Sequence, residues 1–287
     1  MASLKEIRGR ISSVSATLKI TDVNRMISSA KLHKAQSSLT SFSLYKKGIL
    51  STFYDLVNSL SETNIPLMAE NSSAKKVLIV SFSSNTGLCG AFNSNVIKRT
   101  EEMIREYSSK SYNVILYTAG KKVYDGFSHN KNLELENISG IYDHPTYTKI
   151  SEIAGKIISM YLNREVDEVV MIYNRFKNIL TQYISEKKLL PVTNEDEHKD
   201  SYPDYIMEPD RETLVGVLAP QVVKLSFYET FLESQTAEYG ARSSAMQAAT
   251  DNANDLLGEL STQYNKVRQS AITGELIDIV GGSEALK

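Results

Sequence analysis

The chain has 287 residues, six prolines, one cysteine and a formal net charge of −2 at neutral pH. This length suffices for one large or two small domains, and the single cysteine excludes an internal disulfide and fits a reducing compartment. No run approaches the roughly 18 apolar residues of a membrane span. The helical pattern begins by Leu4, which leaves no room for a signal sequence, so we expect the chain to stay where it is made.

The first 60 residues contain an apolar seam with the three- and four-residue spacing of one heptad phase. The seam consists of Leu4, Ile7, Ile11, Val14, Leu18, Leu32, Ala35, Leu39, Phe42, Ile49, Phe53, Leu56 and Leu60, interrupted by Thr21, Arg25, Ser28 and Lys46. The same segment holds nine basic and three acidic residues, so it carries +6 and the rest of the chain −8. The pattern predicts a basic helix within residues 1–63 whose partner is an acidic protein surface or nucleic acid.

Residues 75–208 alternate between short apolar strands and helices, which is typical of a mostly parallel, Rossmann-like α/β sheet. Strands are predicted at 77–82, 114–117, 133–141 and 168–174, and helices at 93–108, 120–127 and 150–162. Segments 179–185 and 188–192 together indicate an antiparallel hairpin at the sheet edge. The acidic segment 194–200 is predicted to be a solvated loop.

The segment 221–279 contains nothing that stops a helix. Its seam consists of Leu225, Tyr228, Leu232, Tyr239, Met246, Ala249, Ala253, Leu256, Leu260, Val267 and Ile277, with Gln235, Arg242, Gln263, Ser270 and Gly274 between them. At 1.5 Å per residue this helix would be about 85 Å long, which one globular core cannot cover. All six prolines lie between residues 66 and 220, as two uninterrupted helices require. We therefore expect segments 1–63 and 210–287 to pair as a left-handed antiparallel coiled coil, with the α/β domain inserted between them.

Candidate catalytic and metal-binding groups are few. The turn 83–90 follows a predicted strand, where a nucleotide phosphate would bind, but it lacks the third glycine and the lysine of the common phosphate-binding motifs. Cys89 lies near a predicted helix start without an evident base. The four histidines, at positions 33, 129, 144 and 198, do not have metal-ligand spacing. We expect no catalytic residue, cofactor or metal site in this chain.

Three groups of residues are not explained by packing alone. They are Ser3-Leu4-Lys5-Glu6-Ile7-Arg8 with 19–21 and 29–32, Gly87-Leu88-Cys89-Gly90-Ala91-Phe92-Asn93, and 245–253 with 264–273. These runs closely resemble the gamma subunit of the rotary proton-translocating ATP synthase, and the resemblance covers residues 3–286. In that family the terminal helices form the rotor shaft inside a ring of three alpha and three beta subunits. The α/β domain lies at the foot, against the epsilon subunit and the membrane ring of c subunits.

The resemblance also implies which residues contact partner subunits. Arg268, Gln269 and Thr273 fall where the family's shaft meets loops of the catalytic ring. Lys5, Arg8 and Arg25 fall near acidic segments of the beta subunits. The chain departs from the family's usual residues at Asp22 (lysine), Asn24 (methionine), Asn85-Thr86 (Asp-Arg), Ser243-Ser244 (Met-Val) and Gly274 (glutamine).

The function that the resemblance implies is the transmission of work without catalysis in this chain. Proton flow turns the c ring, the α/β domain grips that ring, and the asymmetric shaft contacts three catalytic subunits differently. The expected location is the cytoplasmic side of a bacterial inner membrane, as a peripheral subunit.

The residues alone leave two other classes of protein open. A nucleic-acid-binding coiled-coil adaptor would use the basic helix, although its basic residues are not interleaved with stacking aromatics. A small-molecule enzyme would use the turn 83–90, which offers few polar groups.

Overall fold

The computed structural model describes residues 3–59, 65–69, 75–130, 132–193 and 207–284. Its helices are α1 (Leu4–Asn58), α2 (Phe92–Ser109), α3 (Lys121–Phe127), α4 (Tyr147–Leu162) and α5 (Arg211–Glu284). Its strands are β1 (Lys76–Phe82), β2 (Asn113–Ala119), β3 (Glu134–Asn137), β4 (Glu168–Phe176) and β5 (Gln182–Leu190). The loop predicted at 194–200 lies outside the described residues. Within the described ranges, none of the helices has the length and apolar character that crossing a membrane requires.

The five strands form one sheet in the order β3-β2-β1-β4-β5. The pairs β1–β2, β1–β4 and β2–β3 are parallel, and β4–β5 is antiparallel. Because side chains alternate along a strand, β1 contributes buried side chains to both faces of the sheet. Val77 and Ile79 lie in a core with α2 and α3, whereas Leu78 and Val80 lie in a larger core with α4, α5 and part of α1. The predicted mostly parallel α/β arrangement is confirmed.

The third strand is shorter than the predicted segment 133–141. β3 ends at Asn137, whose side-chain oxygen accepts a hydrogen bond of 2.9 Å from the Ser139 backbone N–H. A 3-10 turn, Ser139–Tyr142, follows and buries Ile141. The alternating polarity of residues 133–141 predicts a longer strand, but the Asx turn at Asn137 ends it, since asparagine favours turns over strands.

The hairpin predicted from 179–185 and 188–192 is wrong in its pairing. Both segments contribute to the single strand β5, which pairs with β4 along its length. The turn lies earlier, where Asn178 Oδ1 accepts hydrogen bonds from the backbone N–H groups of Leu180 (3.0 Å) and Thr181 (2.7 Å). The prediction places the hairpin turn at residues 186–187, but these polar residues belong to an edge strand, where charged side chains are common.

α5 begins ten residues before the segment 221–279 that the sequence predicts to be helical, and it contains Pro220. Asp210 caps its start, because its carboxylate accepts hydrogen bonds from the Thr213 N–H (2.9 Å) and hydroxyl (2.7 Å). These bonds also lower the pKa of Asp210. The helix tolerates Pro220 because Val215, Val222 and their neighbours are buried in the larger core, which offsets the lost backbone hydrogen bond.

The chain forms two compact units. The larger unit, Ser29–Arg242, contains the sheet, α2, α3, α4 and the adjoining parts of α1 and α5. The smaller unit combines Met1–Ser28 with Ser243–Lys287, so its described part consists of the remaining segments of α1 and α5.

Within the smaller unit, α1 and α5 run antiparallel. Arg8 Nη2 donates to Tyr264 Oη at 2.9 Å, and Thr250 Oγ1 donates to Thr21 Oγ1 at 3.0 Å. Advancing along α1 from residue 8 to residue 21 therefore moves the partner on α5 from residue 264 back to residue 250. The predicted antiparallel coiled coil is confirmed.

The seam of α5 in this unit differs from the predicted one at alternate positions. Met246, Ala253 and Leu260 are buried as predicted, and Val267 is half-buried. Between them the helix uses Thr250, Leu257, Tyr264 and Ala271, each one residue beyond the predicted Ala249, Leu256, Gln263 and Ser270. The predicted seam residues Leu256 and Ile277 are 43% and 65% exposed. Steps of four then three residues fit a heptad as well as steps of three then four, so the partner helix decides between them.

Candidate functional site: the paired helices and the β1–α2 turn

The turn between β1 and α2, residues 83–91, is closed by its own polar side chains. The Ser84 N–H donates to Asn93 Oδ1 at 3.0 Å, and Ser84 Oγ donates to the Thr86 carbonyl at 2.5 Å. Leu88 and Gly90 have φ angles of 63° and 58°, which reverse the chain within a few residues. The Ser84 hydroxyl and the Asn93 side-chain amide are thus engaged in shaping the turn.

Cys89 lies beneath this turn and is 2% exposed. It packs in one apolar cluster with Phe92 of α2 and with Ala237 and Ala241 of α5. Burial raises the pKa of its thiol, although hydrogen bonding to Ser84 opposes this. The thiolate, which is the nucleophilic form, is therefore disfavoured at neutral pH.

Gly240 of α5 lies against the end of β4. A Cβ atom at this position would stand 3.1 Å from the Phe176 ring and 3.4 Å from the Gln182 amide nitrogen. A side chain at this position would require the Phe176 ring or the Gln182 amide to shift by a few tenths of an ångström. The glycine therefore allows α5 to pack closely against these two side chains.

In the larger unit, an ionic junction links α1, α5 and β5. Lys46 Nζ of α1 lies 2.5 Å from Glu229 Oε2 of α5, and Lys187 Nζ of β5 lies 3.5 Å from the same oxygen. The Ser43 hydroxyl donates to the other Glu229 oxygen at 3.3 Å. One carboxylate thus takes bonds from two other elements. Phe42 of α1 adds an edge-to-face contact of 4.7 Å with Tyr228 of α5.

The residues predicted to meet the catalytic ring lie near the end of α5. Arg268, Gln269 and Thr273 are all exposed. The Thr273 hydroxyl donates to the Gln269 carbonyl at 2.9 Å, one turn earlier on the same helix. Because Arg268 is exposed, its side chain is accessible to a partner.

Two of the three basic residues predicted to meet the beta subunits have partners within the chain. Arg8 donates to Tyr264, and its guanidinium also lies 5.8 Å from the Tyr264 ring centroid. Arg25 forms an ion pair of 2.8 Å with Asp22, one turn earlier. Lys5 is exposed.

Sequence reasoning missed the buried ion pairs of the larger unit. Lys46 pairs with Glu229, and Arg242 pairs with Glu238 at 2.5 Å on α5. A signal was present, since Lys46 and Arg242 both occupy heptad seam positions where an unpaired charge would be costly. Over the described ranges, no group of three or more His, Cys, Asp or Glu residues could hold a metal ion.

Comparison with known proteins assigns the family. The ATP synthase family model matches residues 3–286. An ATP synthase gamma chain of Phocaeicola vulgatus is 40% identical over 290 residues, covering 99% of this chain and 100% of that protein. The chain belongs to the ATP synthase gamma chain family. A second gamma chain, from Christiangramia forsetii, is 39% identical over 287 residues and covers 100% of this chain and 99% of its own.

Solved structures show that this member of the gamma chain family shares its fold with ATP synthase rotors. The rotor of Euglena gracilis mitochondrial ATP synthase matches with a TM-score of 0.64 at 16% identity, covering 94% of this chain and 98% of that one. The central stalk and c ring structure from the Tetrahymena thermophila mitochondrial enzyme contains a chain with a TM-score of 0.57 at 21% identity, covering 80% and 99%. The family and the fold class predicted from the sequence are confirmed.

Proposed function

We propose that this chain is the central-stalk rotor subunit of an ATP synthase. It transmits torque between a membrane ring of c subunits and a ring of alpha and beta subunits, and so couples proton flow to ATP synthesis or hydrolysis. The observation that carries this proposal is the antiparallel pairing of α1 and α5, which two cross-helix bonds in the smaller unit define, in a member of the gamma chain family. Two packed helices resist bending and twisting far better than one, and a torque-bearing shaft needs that stiffness.

Such a subunit works through differential contact and needs no catalytic site of its own. An asymmetric shaft presents a different surface to each of three equivalent catalytic subunits. Nucleotide affinity in each subunit changes only by the difference in contact free energy between its states. The chemistry of ATP then belongs to the alpha and beta subunits, and the buried thiol of Cys89 fits a structural role.

The proposed contacts divide along the chain. Segments 1–63 and 210–287 form the shaft, and residues 75–208 form the α/β domain that meets the epsilon subunit and the c ring. Arg268, Gln269 and Thr273 meet loops of the catalytic ring, for which their exposure is a requirement. Lys5, Arg8 and Arg25 lie near acidic beta segments and supply positive charge there. The chain would be a peripheral subunit on the cytoplasmic side of the inner membrane, without nucleic acid as a partner.

Direct observation of rotation tests the proposal. The chain is produced together with the alpha, beta and epsilon subunits of the same organism, with Cys89→Ser and Ser128→Cys, so that a probe binds the exposed end of α3. With the catalytic ring immobilised, ATP is expected to drive rotation of the probe in one direction, and ADP is not. Failure of the chain to assemble with the ring, or assembled complexes that hydrolyse ATP without rotation, would contradict the proposal.

A further inference from the structure

Arg242 connects α5 to the β1–α2 turn. Its Nη2 atom donates to Thr86 Oγ1 at 2.9 Å, to the Thr86 carbonyl at 3.3 Å and to the Gly87 carbonyl at 3.4 Å. Its Nη1 atom donates to Glu238 Oε1 at 2.5 Å, one turn earlier on α5. One guanidinium thus uses one arm on its own helix and the other on the turn, which the planar fork of arginine allows.

The Glu238 carboxylate holds this guanidinium in position. The Arg242 and Glu238 side chains are 14% and 9% exposed, so water weakens their attraction less than it would on the surface. Burial raises the pKa of Glu238, and the positive charge of Arg242 opposes that rise. The guanidinium is therefore aimed at the turn before any load is applied.

The receiving end of the connection reaches back to the sheet. The Thr86 carbonyl accepts from both Arg242 and Ser84 Oγ, and Ser84 comes two residues after β1 ends. The Ser84 N–H in turn donates to Asn93 of α2. Hydrogen bonds therefore run from the carboxyl end of β1, through the turn, to α5.

Packing directly beside the turn is limited, although α5 also packs against the sheet in the larger core through Phe227 and Phe231. The α5 residues in the cluster around Cys89 are Ala237 and Ala241, whose small side chains leave the helix surface flat at this point. Apolar contact is non-directional and opposes sliding poorly on such a surface. Hydrogen bonds weaken steeply when their angles change, so the Arg242 bonds oppose rotation of the helix against the turn.

We propose that Arg242 is a positioning residue that fastens the β1–α2 turn to α5, so that the α/β domain and the adjoining part of α5 turn as one body. The inference rests on the proposed rotor function and names one contact through which torque passes between this domain and the helix, beside the larger apolar core and the Glu229 junction. Arg242 acts through Thr86 and Gly87 of the same chain.

The buried Cys89 reports whether the turn is fastened. The assembled complex is treated with a maleimide, the chain is then separated from the other subunits, and the fraction of Cys89 that has been labelled is measured over time. Arg242→Ala is expected to raise this labelling rate at least about tenfold. A tenfold change corresponds to a decrease of about 1.4 kcal/mol in the free energy of opening the β1–α2 turn. Arg242→Lys and Thr86→Val keep part of the contact and are expected to give smaller increases. Arg105→Ala removes an exposed arginine on α2 and serves as the matched control, with no change expected.

Proton pumping per ATP hydrolysed tests the mechanical role in the same complexes. Arg242→Ala is expected to lower this ratio at unchanged assembly. A disulfide from Cys89 to Ala237→Cys or Ala241→Cys, which lie in its cluster, is expected to restore the ratio when oxidised and not when reduced. A rescue that depends on oxidation would show that Arg242→Ala acts by releasing the turn from α5 and not by destabilising the whole chain.

Each result has a distinct meaning. Unchanged labelling in Arg242→Ala would show that the turn does not depend on Arg242 and would overturn the proposal. Raised labelling with an unchanged pumping ratio would overturn the mechanical role. If the unaltered complex hydrolyses ATP and pumps no protons, the rotor function fails, and the labelling result still decides whether Arg242 fastens the turn.

Discussion

A single carboxylate, that of Glu229, joins three elements of the larger unit. Its partners Lys46 and Lys187 come from α1 and β5. Burial and the like charge of Lys187 lower the pKa of Lys46. Burial would raise the pKa of Glu229, but the two lysines overcome it and hold that pKa below its usual value. The carboxylate is therefore charged at neutral pH and compensates ammonium groups that have lost much of their water.

Glu229→Gln is expected to destabilise the chain by about 3 kcal/mol at pH 7, because it leaves the Lys46 ammonium buried without a counter-charge. Urea unfolding of the full chain measures the loss. Glu106→Gln removes an exposed carboxylate that pairs with Arg99 and is the matched control, with a loss below about 1 kcal/mol. The double change Lys46→Met with Glu229→Leu is expected to recover most of the stability, and a sum of two full losses would contradict this account.

The same pair makes stability depend on pH in a defined direction. The folded pKa of Glu229 lies below its unfolded value, so its contribution is present above the unfolded pKa and is lost as pH falls through the folded one. The difference in the free energy of unfolding between the unaltered chain and Glu229→Gln is thus expected to stay constant from pH 7 to about 5 and to shrink below about 4.3. A difference that grows on acidification would contradict it.

Arg268 is an exposed cation near the end of α5. Arg268→Ala is expected to lower proton-coupled ATP synthesis in membrane vesicles at least about tenfold while assembly stays normal. The reason is that the shaft loses a polar contact with the catalytic ring worth about 1.4 kcal/mol. Lys266→Ala, an exposed change nearby on the same helix, is the control. Equal losses of assembly and synthesis would count against a specific contact.

Among the elements, α5 shows how a partner helix selects one of two seams. Both seams share Met246, Ala253 and Leu260, and they differ in whether Leu256 or Leu257 completes the contact with α1. Leu257 is half-buried, whereas Leu256 is 43% exposed. The two leucines are adjacent and equally apolar, so the direction in which each points decides its contribution.

Leu257→Ala is expected to destabilise the paired helices by about 1 to 2 kcal/mol, and Leu256→Ala by about 0.5 kcal/mol or less. The two variants are chemically identical and serve as controls for each other. Thermal unfolding of the full chain, followed by the helical circular dichroism signal, measures both. A larger loss for Leu256→Ala would restore the seam predicted from the sequence.

For the molecule as a whole, residues far apart in sequence are the ones that hold its ends together. Thr21 and Thr250 meet through a hydroxyl contact of 3.0 Å in the smaller unit. A shaft made of two helices transmits torque only if the helices turn together. Covalent linkage at this point should then leave function intact.

Thr21→Cys with Thr250→Cys, in a Cys89→Ser background, is expected to form a disulfide, because the two side chains point at each other with their hydroxyl oxygens 3.0 Å apart. Thr17→Cys with Thr250→Cys lies one turn out of register and is expected not to link. ATP-driven proton pumping of the linked complex is expected to equal that of the reduced one. Pumping that stops on oxidation and returns on reduction would mean that the helices move against each other.

Much of the fold follows from local patterns. The strands β1, β2 and β4 and the helices α2, α3 and α4 begin and end within a few residues of their predicted bounds, because apolar periodicity is a property of neighbouring residues. The contact residues inferred from resemblance stay predictions. The seam positions of Lys46 and Arg242 signalled that each needs a partner, but Glu229 and Thr86 could not be identified as those partners, because each lies more than 100 positions away in the sequence.

The sequence by itself determined the family, the helical nature of both ends and the mostly parallel α/β character of the central domain, since these depend on residue type and spacing along the chain. Tertiary structure alone decided that β5 pairs with β4, that α5 uses Leu257, and that Lys46 and Arg242 are buried in pairs. The physical reason is the same in each case. A strand edge, a heptad seam or a buried charge is satisfied by a partner from another element, and only the folded chain brings that partner within reach.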